Sequence, residues 1–153
     1  TATNLKFFIV KQLPVLRPEQ IDEVNQWQLV KRVAELTYFN HDMDEFAKDL
    51  SAELSQEQNE ELGNRLIKQE PWVFNELRRA QLQAEIDAIV AKLYGLNDEE
   101  LRYILDPEDI FGAGCVHETF RVLKNNEIKE FGEYRTKRLV LEAWDKLNQG
   151  NLF

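Results

Sequence analysis

Apolar residues recur every three or four positions along most of this chain, which is the spacing of helices that bury one side. The clearest case lies between residues 72 and 94, where four apolar residues form one seam: Leu82, Ile86, Ile89 and Leu93. Gly95 follows at the position where a left-handed residue commonly ends a helix. The pattern therefore predicts a long helix over residues 72–94.

A short helix is predicted directly after the long one. Asn97 and Glu100 have the spacing of a capping box, and the apolar residues that follow keep the helical spacing. The pair Asp106-Pro107 ends this helix, because a residue before proline avoids the helical conformation. A glycine-containing loop is expected over residues 106–119.

The last helix is predicted over residues 134–148. Its apolar residues share one side: Val140, Leu141, Trp144 and Leu147. Three cations lie within four residues at its start: Arg135, Lys137 and Arg138. The pattern indicates an amphipathic helix with a basic first half, docked by its tryptophan.

Weaker patterns predict the remaining helices. Pro18 suits the first turn of a helix that continues to about residue 36. A short helix is predicted around residues 42–50, and a further one over residues 120–131. Residues 51–69 are polar, acidic and weakly periodic, so they are interpreted as a solvated helix or loop.

The opening residues 5–16 are rich in aromatic and β-branched side chains and end at prolines, which favours a strand or extended segment. A lone strand is not stable by itself, so the segment looks cut from a longer protein. We predict a mainly α fold, a bundle of five or six helices with one short N-terminal strand or extended segment. Residues 1–17 would form that segment, and residues 18–153 a single globular helical domain.

Composition fits this interpretation. A chain of 153 residues with 43% hydrophobic and 31% charged residues is typical of one globular domain. No apolar run approaches the roughly 20 residues of a membrane helix, and no secretory signal is present. The single cysteine, Cys115, excludes an internal disulfide and fits a reducing cytoplasm.

The net charge of −9 argues against a dedicated nucleic-acid binder, but the charge is uneven. Residues 40–70 contain nine acids against three bases, and residues 97–118 contain seven acids against one base. Residues 119–147 contain seven bases against five acids, which gives +2. This segment is the place where a phosphate backbone would be least repelled.

Several stretches, read in order, together carry a resemblance to a known family. They are residues 4–16, 32–38, 42–50, 78–88, Leu93-Tyr94-Gly95-Leu96, 101–106 and 118–145. This series resembles the extreme C-terminal region of bacterial type IIG restriction–modification enzymes and adenine-specific DNA methyltransferases, some of which act in phage defence. The weakest part of the resemblance is residues 51–69.

The resemblance implies that the chain is the C-terminal part of such an enzyme in a bacterial or archaeal cytoplasm. The opening stretch resembles the strand that closes the target-recognition region. The parent protein would use S-adenosylmethionine, and Mg²⁺ if it also carries a nuclease. No cofactor is expected within this part of it.

The reactive motifs of an adenine methyltransferase are absent from the sequence. Such an enzyme holds the flipped base with an Asn/Asp-Pro-Pro-aromatic loop, and no Pro-Pro dipeptide occurs here. Gly112-Ala113-Gly114 lacks the third glycine of a dinucleotide-binding turn. Asp106, Glu108 and Asp109 are close in sequence, but no predicted strand presents them to one magnesium ion. Loop and capping roles are therefore favoured for these three acids.

Other candidate sites are weak as well. Cys115 and His117 are spaced for two metal ligands, but His41 and carboxylates are the only further candidates for a zinc site, which normally needs four ligands. A catalytic Cys–His pair two residues apart is also disfavoured. Three tryptophans are interpreted as core or docking residues rather than base-stacking platforms: Trp27, Trp72 and Trp144. We predict no catalytic, cofactor-binding or metal-binding residue.

Five cations of the C-terminal segment are the candidate DNA-binding residues: Arg121, Lys124, Arg135, Lys137 and Arg138. They would contact the DNA backbone or dock on other domains of the parent. The more conservative interpretation, which we favour, is a solvated helix face that pairs with Glu127, Glu130 and Glu142.

The first functional hypothesis is a non-catalytic helical domain that braces the target-recognition domain. Its partners would be the remaining domains of the parent and, through the parent, duplex DNA, with no membrane partner. The alternative is a protein–protein interaction module that binds another subunit of a defence complex.

Overall fold

A computed structural model describes residues 14–115 and 120–151. Within these residues the chain forms nine α-helices and two 3-10 turns, Pro18–Gln20 and His41–Met43. The α-helices are α1 (Glu23–Thr37), α2 (Asp44–Glu53), α3 (Gln56–Glu61), α4 (Arg65–Lys68), α5 (Glu76–Leu93), α6 (Asp98–Leu105), α7 (Glu108–Phe111), α8 (Arg121–Phe131) and α9 (Arg135–Asn148). The predicted mainly helical class is confirmed, with more helices than the five or six expected.

The predicted N-terminal strand falls mostly on residues 1–13, which lie outside the described residues. Residues 14–17 form no strand, and none occurs elsewhere in the described ranges. The Tyr94 hydroxyl, at the end of α5, donates to the carbonyl of Pro14 at 2.8 Å and lies 3.4 Å from the amide nitrogen of Leu16. The start of the described chain is thus held against the end of α5.

The additional helices are short and lie where the sequence pattern is weak. Residues 51–69 contain the end of α2 and both α3 and α4. A capping box starts α3: the Ser55 hydroxyl accepts from the Gln58 amide, and the Gln58 side chain accepts from the Ser55 amide. The expected loop over residues 106–119 begins with the one-turn helix α7.

The main core lies between α5, α6 and α9. Alanines on α5, among them Ala88 with no exposed surface, allow α9 to approach closely and pack Val140 and Trp144 against them. Leu101 and Leu105 of α6 close the same cluster. The amphipathic stripe predicted for the last helix is therefore its buried side.

A second, smaller core joins the end of α1 to α2 and α4. Tyr38, Ala47 and Leu66 are fully or almost fully buried there. Trp72, in the irregular segment before α5, packs edge-on against Tyr38 with ring centroids 6.4 Å apart. Its backbone amide also donates to the Tyr38 carbonyl at 2.9 Å, so this segment is anchored to the end of α1.

In the portion of the chain that the structure describes, no helix has the length and apolar character to cross a membrane.

Candidate functional site

The five cations predicted to bind DNA lie on α8 and α9, which pack against each other. Arg121 and Lys124 belong to the first turn of α8, and Arg135, Lys137 and Arg138 belong to the first turn of α9. The two groups are therefore neighbours in space, as a common site would require. Whether these cations can bind a phosphate depends on the acids with which they pair.

Lys124 and Lys137 converge on one buried carboxylate, that of Asp106. The Lys124 Nζ lies 3.0 Å from Oδ1 and 2.9 Å from Oδ2, and the Lys137 Nζ lies 3.0 Å from Oδ2. The Asp106 side chain is only 6% exposed. Burial raises the pKa of Asp106, but hydrogen bonds from the two lysines outweigh it and hold that pKa below its usual value. Asp106 is thus ionised and pairs with both cations.

Two further carboxylates complete this cluster. Lys124 also binds Oε2 of Glu108, and Lys137 binds Oδ1 of Asp109 at 2.9 Å. Asp106 additionally accepts a 3.4 Å hydrogen bond from the Glu108 amide, two residues further along the chain. The three acids therefore face two lysines, and together they tie α7 to α8 and α9. We call these five residues the Asp106 cluster.

No metal site emerges from these acids or the other candidate ligands. His41 lies against Asp44, with 3.1 Å between Nδ1 and Oδ1, and Cys115 is half-buried in a cavity that Asp106 and Glu108 also line. His117 is outside the described residues. Residues 14–115 and 120–151 contain no group of three or more histidine, cysteine, aspartate or glutamate side chains arranged to hold a metal ion.

Arg138 is also paired, with Glu142 as the conservative interpretation predicts and with Glu133, which that interpretation did not name. Its guanidinium donates to both oxygens of Glu133 at 2.9–3.1 Å and to Glu142 at 2.9 Å. Hydrogen bonds to Glu133 and then Glu142 raise the pKa of Arg138. Almost half of the Arg138 side chain is exposed, so these pairs contribute little stability.

The other two candidate cations have different surroundings. The Arg135 guanidinium carbon lies 3.8 Å from the centroid of the Phe131 ring, and its buried Nε has no hydrogen-bond partner among the described residues. Arg121 is exposed and, with Lys124 and Cys115, lines a cavity of about 300 Å³. Neither arrangement resembles a preformed phosphate clamp.

Glu127 has a role that the sequence analysis missed. It was expected to pair with a cation, but its carboxylate accepts from the Thr136 amide at 2.8 Å and from the Thr136 hydroxyl at 2.7 Å. Glu127 is buried, and it satisfies one backbone donor and one hydroxyl at the start of α9. An acid nine residues before the capped position gives no local capping signal in the sequence.

A cleft of about 470 Å³ between α1, the α3–α4 region and α5 was also missed. Three ion pairs line it: Lys31–Glu61 at 2.7 Å, Arg32–Glu85 at 2.8 Å and Arg78–Glu35 at 2.9 Å. The partners are 30 to 53 residues apart, so helical spacing could not reveal them. Arg65 and Trp72 lie in the same cleft.

The tryptophans differ in their surroundings. Trp144 is buried in the main core, which confirms the core interpretation. Trp27 donates its indole N–H to Glu61 at 2.7 Å, at the edge of the cleft. Trp72 is half-buried and carries the guanidinium of Arg65 over its ring, 5.7 Å from the ring centroid.

Comparison of the chain with protein-family models, with curated proteins and with solved structures finds no match in any of the three.

Proposed function

We propose that this chain is a non-catalytic C-terminal helical domain of a restriction–modification or adenine-specific DNA methyltransferase protein, in which it braces the target-recognition domain. The proposal starts from the resemblance in sequence described above. In the parent protein, S-adenosylmethionine chemistry, and Mg²⁺ chemistry if a nuclease is present, would belong to other domains. This chain would provide a rigid support.

The Asp106 cluster favours support over DNA contact at α8 and α9. Lys124 and Lys137 would have to leave a buried carboxylate before they could bind a phosphate. Removing one partner of a buried ion pair leaves the other charge uncompensated, which is costly. These lysines therefore serve to fix the relative positions of α7, α8 and α9.

The observation that carries the bracing role is the exposure of α8. Only Glu127 is buried on this helix. More than a third of the surface of each of four large apolar residues is exposed: Val122, Leu123, Ile128 and Phe131. A helix with this much exposed apolar surface is typical of an interface with another protein body. We assign that body to the remaining domains of the parent.

The first test is chemical and genetic. The reading frame upstream of Thr1 should encode an Asn-Pro-Pro-aromatic motif, and the isolated chain should show no methyl transfer or DNA cleavage with S-adenosylmethionine and Mg²⁺. Turnover by the pure chain, or a reading frame without a methyltransferase, would refute the proposal.

The second test measures docking. The chain and the upstream domains are produced as two polypeptides, and their affinity is measured by titration calorimetry. Val122→Asp and Ile128→Asp should each weaken binding at least tenfold, because a charge in an apolar interface loses its hydration. Val24→Asp, a change at a similarly exposed apolar residue on α1, is the matched control and should have no effect. Equal effects of all three variants would exclude α8 as the docking surface.

The same exposed helix also supports the alternative, a module that binds another subunit of a defence complex. The two functions differ in where the partner is encoded. Docking of α8 on a separate polypeptide, with no methyltransferase upstream in the same chain, would favour the alternative.

A further inference from the structure

Three cations on α4 and in the first turn of α5 have no carboxylate partner among the described residues. They are Arg65 and Lys68 on α4 and Arg79 on α5. None of the three lies within 4.0 Å of a described acid, whereas Lys124, Lys137 and Arg138 are each held by two acids. Their charge is therefore available to an external anion.

Aromatic rings lie directly beside two of these cations. The Arg65 guanidinium carbon is 5.7 Å from the centroid of Trp72. The Arg79 guanidinium carbon is 5.0 Å from the centroid of Phe39 and 5.1 Å from that of Phe74. Trp72 and Phe74 are two residues apart, so their Cα atoms are at most about 7 Å from each other. The two cation–aromatic groups are therefore neighbours. We call Arg65, Lys68, Trp72, Phe74 and Arg79 the α4–α5 surface.

The second of these groups is held in place by contacts within the chain. Arg79 donates through Nη1 to the Leu36 carbonyl at 2.7 Å, which leaves its other N–H groups for a ligand. Phe39 and Phe74 pack edge to face with their centroids 5.7 Å apart. Phe74 is nevertheless 59% exposed, so one side of its ring can receive another planar group. The geometry is thus set before any ligand arrives.

The local charge is positive although the chain is acidic. Residues 64–79 contain four bases against two acids, but Arg78 is paired with Glu35 and Glu85 from outside this segment. The three remaining bases against two acids give a local charge of +1 in a chain of net charge −9. At physiological ionic strength the Debye length is about 8 Å, so distant acidic segments such as residues 97–109 are largely screened from this surface. A ligand that touches the surface experiences mainly the nearby cations.

We propose that the α4–α5 surface binds a single-stranded nucleic-acid segment, with phosphates on Arg65, Lys68 and Arg79 and a base stacked on Phe74. Arginine is suited to phosphate because its planar N–H groups match two oxygens at once. Exposed aromatic rings beside cations are the usual means of holding unpaired bases. The choice of nucleic acid as the ligand rests on the proposed function, whereas the free cations and exposed ring are features of the structure itself.

The test uses this chain and a fluorescein-labelled 20-nucleotide single strand, with the matching duplex as a second probe, in anisotropy titrations. Three phosphate contacts at about −0.7 each predict a slope near −2 of log affinity against log salt, hence a loss of about 20-fold between 50 and 200 mM KCl. Arg65→Glu with Lys68→Glu should abolish binding. Phe74→Ala should weaken single-strand binding about tenfold and change duplex binding little.

The control carries the same change in charge at a different place. Lys129→Glu with Lys146→Glu alters two exposed lysines on α8 and α9 that have no carboxylate partner among the described residues. This variant should bind within twofold of the unmodified chain, and circular dichroism should show that all variants are folded. The proposal is overturned if the single strand does not bind, if the control weakens binding as much, or if Phe74→Ala has no effect. None of these outcomes affects the docking test of α8, which contains no DNA.

Discussion

The Asp106 cluster makes a sharp prediction about stability. In Asp106→Asn the side chain keeps its size but loses the charge that holds Lys124 and Lys137. The single amide oxygen of asparagine can accept only some of the hydrogen bonds that the two ammonium groups donate. The two ammonium groups then face each other without a negative charge between them. Glu108 and Asp109 remain as outer partners, so each lysine keeps one ion pair.

The magnitude follows from the burial of the three groups. Breaking a fully buried ion pair costs about 3–5 kcal/mol. Here the acid is 6% exposed but the lysines are 24% and 23% exposed, so water can partly replace the lost carboxylate. We expect a loss of about 2 kcal/mol in the free energy of unfolding, or about 4–8 °C in Tm for a chain of this size.

The measurement is urea unfolding followed by circular dichroism and by tryptophan fluorescence, since Trp144 lies in the adjoining core. Arg138→Gln is the matched comparison, because it also removes the charge of a side chain with two carboxylate partners, but at an exposed position. That change should cost less than about 1 kcal/mol. If Asp106→Asn lies within about 0.5 kcal/mol of the unmodified chain, the cluster does not hold the helices together.

The difference in the free energy of unfolding between the unmodified chain and Asp106→Asn should also depend on pH. The folded pKa of Asp106 is lowered, so the stability it contributes is present above its unfolded value of about 3.9 and is lost as the pH falls through the folded pKa. Burial lowers the pKa of Lys124 and Lys137, but the hydrogen bonds that they donate to their acids outweigh it and raise the pKa of both. The lysine contribution is therefore lost only above about pH 10.4. The effect of Asp106→Asn should be constant from pH 5 to 9 and shrink below about pH 4. A difference that persists unchanged at pH 2.5 would contradict the ionic explanation.

Two further predictions concern the cores. Ala88→Leu places a larger side chain where α5 meets α9, so it should lower the free energy of unfolding by about 1–3 kcal/mol in urea unfolding. Ala52→Leu, at an exposed position of α2, is the control and should not lower it. Equal unfolding midpoints for the two variants would mean that the α5–α9 contact is loose. Burial, and then the 2.7 Å hydrogen bond to Asp44, raise the pKa of Tyr38 to about 12, so its stabilising effect is present below pH 10 and is lost between pH 10 and 12. Tyr38→Phe should cost about 1 kcal/mol at pH 9 and less at pH 11, and an effect that grows over this range would contradict the assignment.

Regular helices could be predicted from the sequence because their signals are local. Asn97 and Glu100 form the expected capping box, with both hydrogen bonds at 2.9 Å. Gly95, with φ of +74°, follows α5 as expected. The short helix α4 could not be predicted, because left-handed Asn64 and Gln69 flank it and neither residue requires that conformation. Its position depends instead on Leu66, which is buried in the smaller core.

The ion pairs of the site could not be predicted from the sequence, because they join residues that are far apart along the chain. Lys124 and Lys137 lie 18 and 31 residues after Asp106, so no helical spacing connects them. The sequence identified the acids and the cations separately and placed them in different roles. They come together only in the folded chain, where ion pairs join Asp106 and α7 to α8 and α9.

The same reasoning changes where a nucleic acid would be expected. Counted along the sequence, residues 119–147 carry +2 and are the least acidic of the three segments compared. In space, Asp106, Glu108 and Asp109 join that segment and turn its local charge from +2 to −1. No acid in the described part of the chain lies within 4.0 Å of the three cations of the α4–α5 surface. The net charge of a sequence segment predicts the local electrostatic field only if the acids that pair with its cations belong to the same segment. For α8 and α9 several of these acids come from outside it.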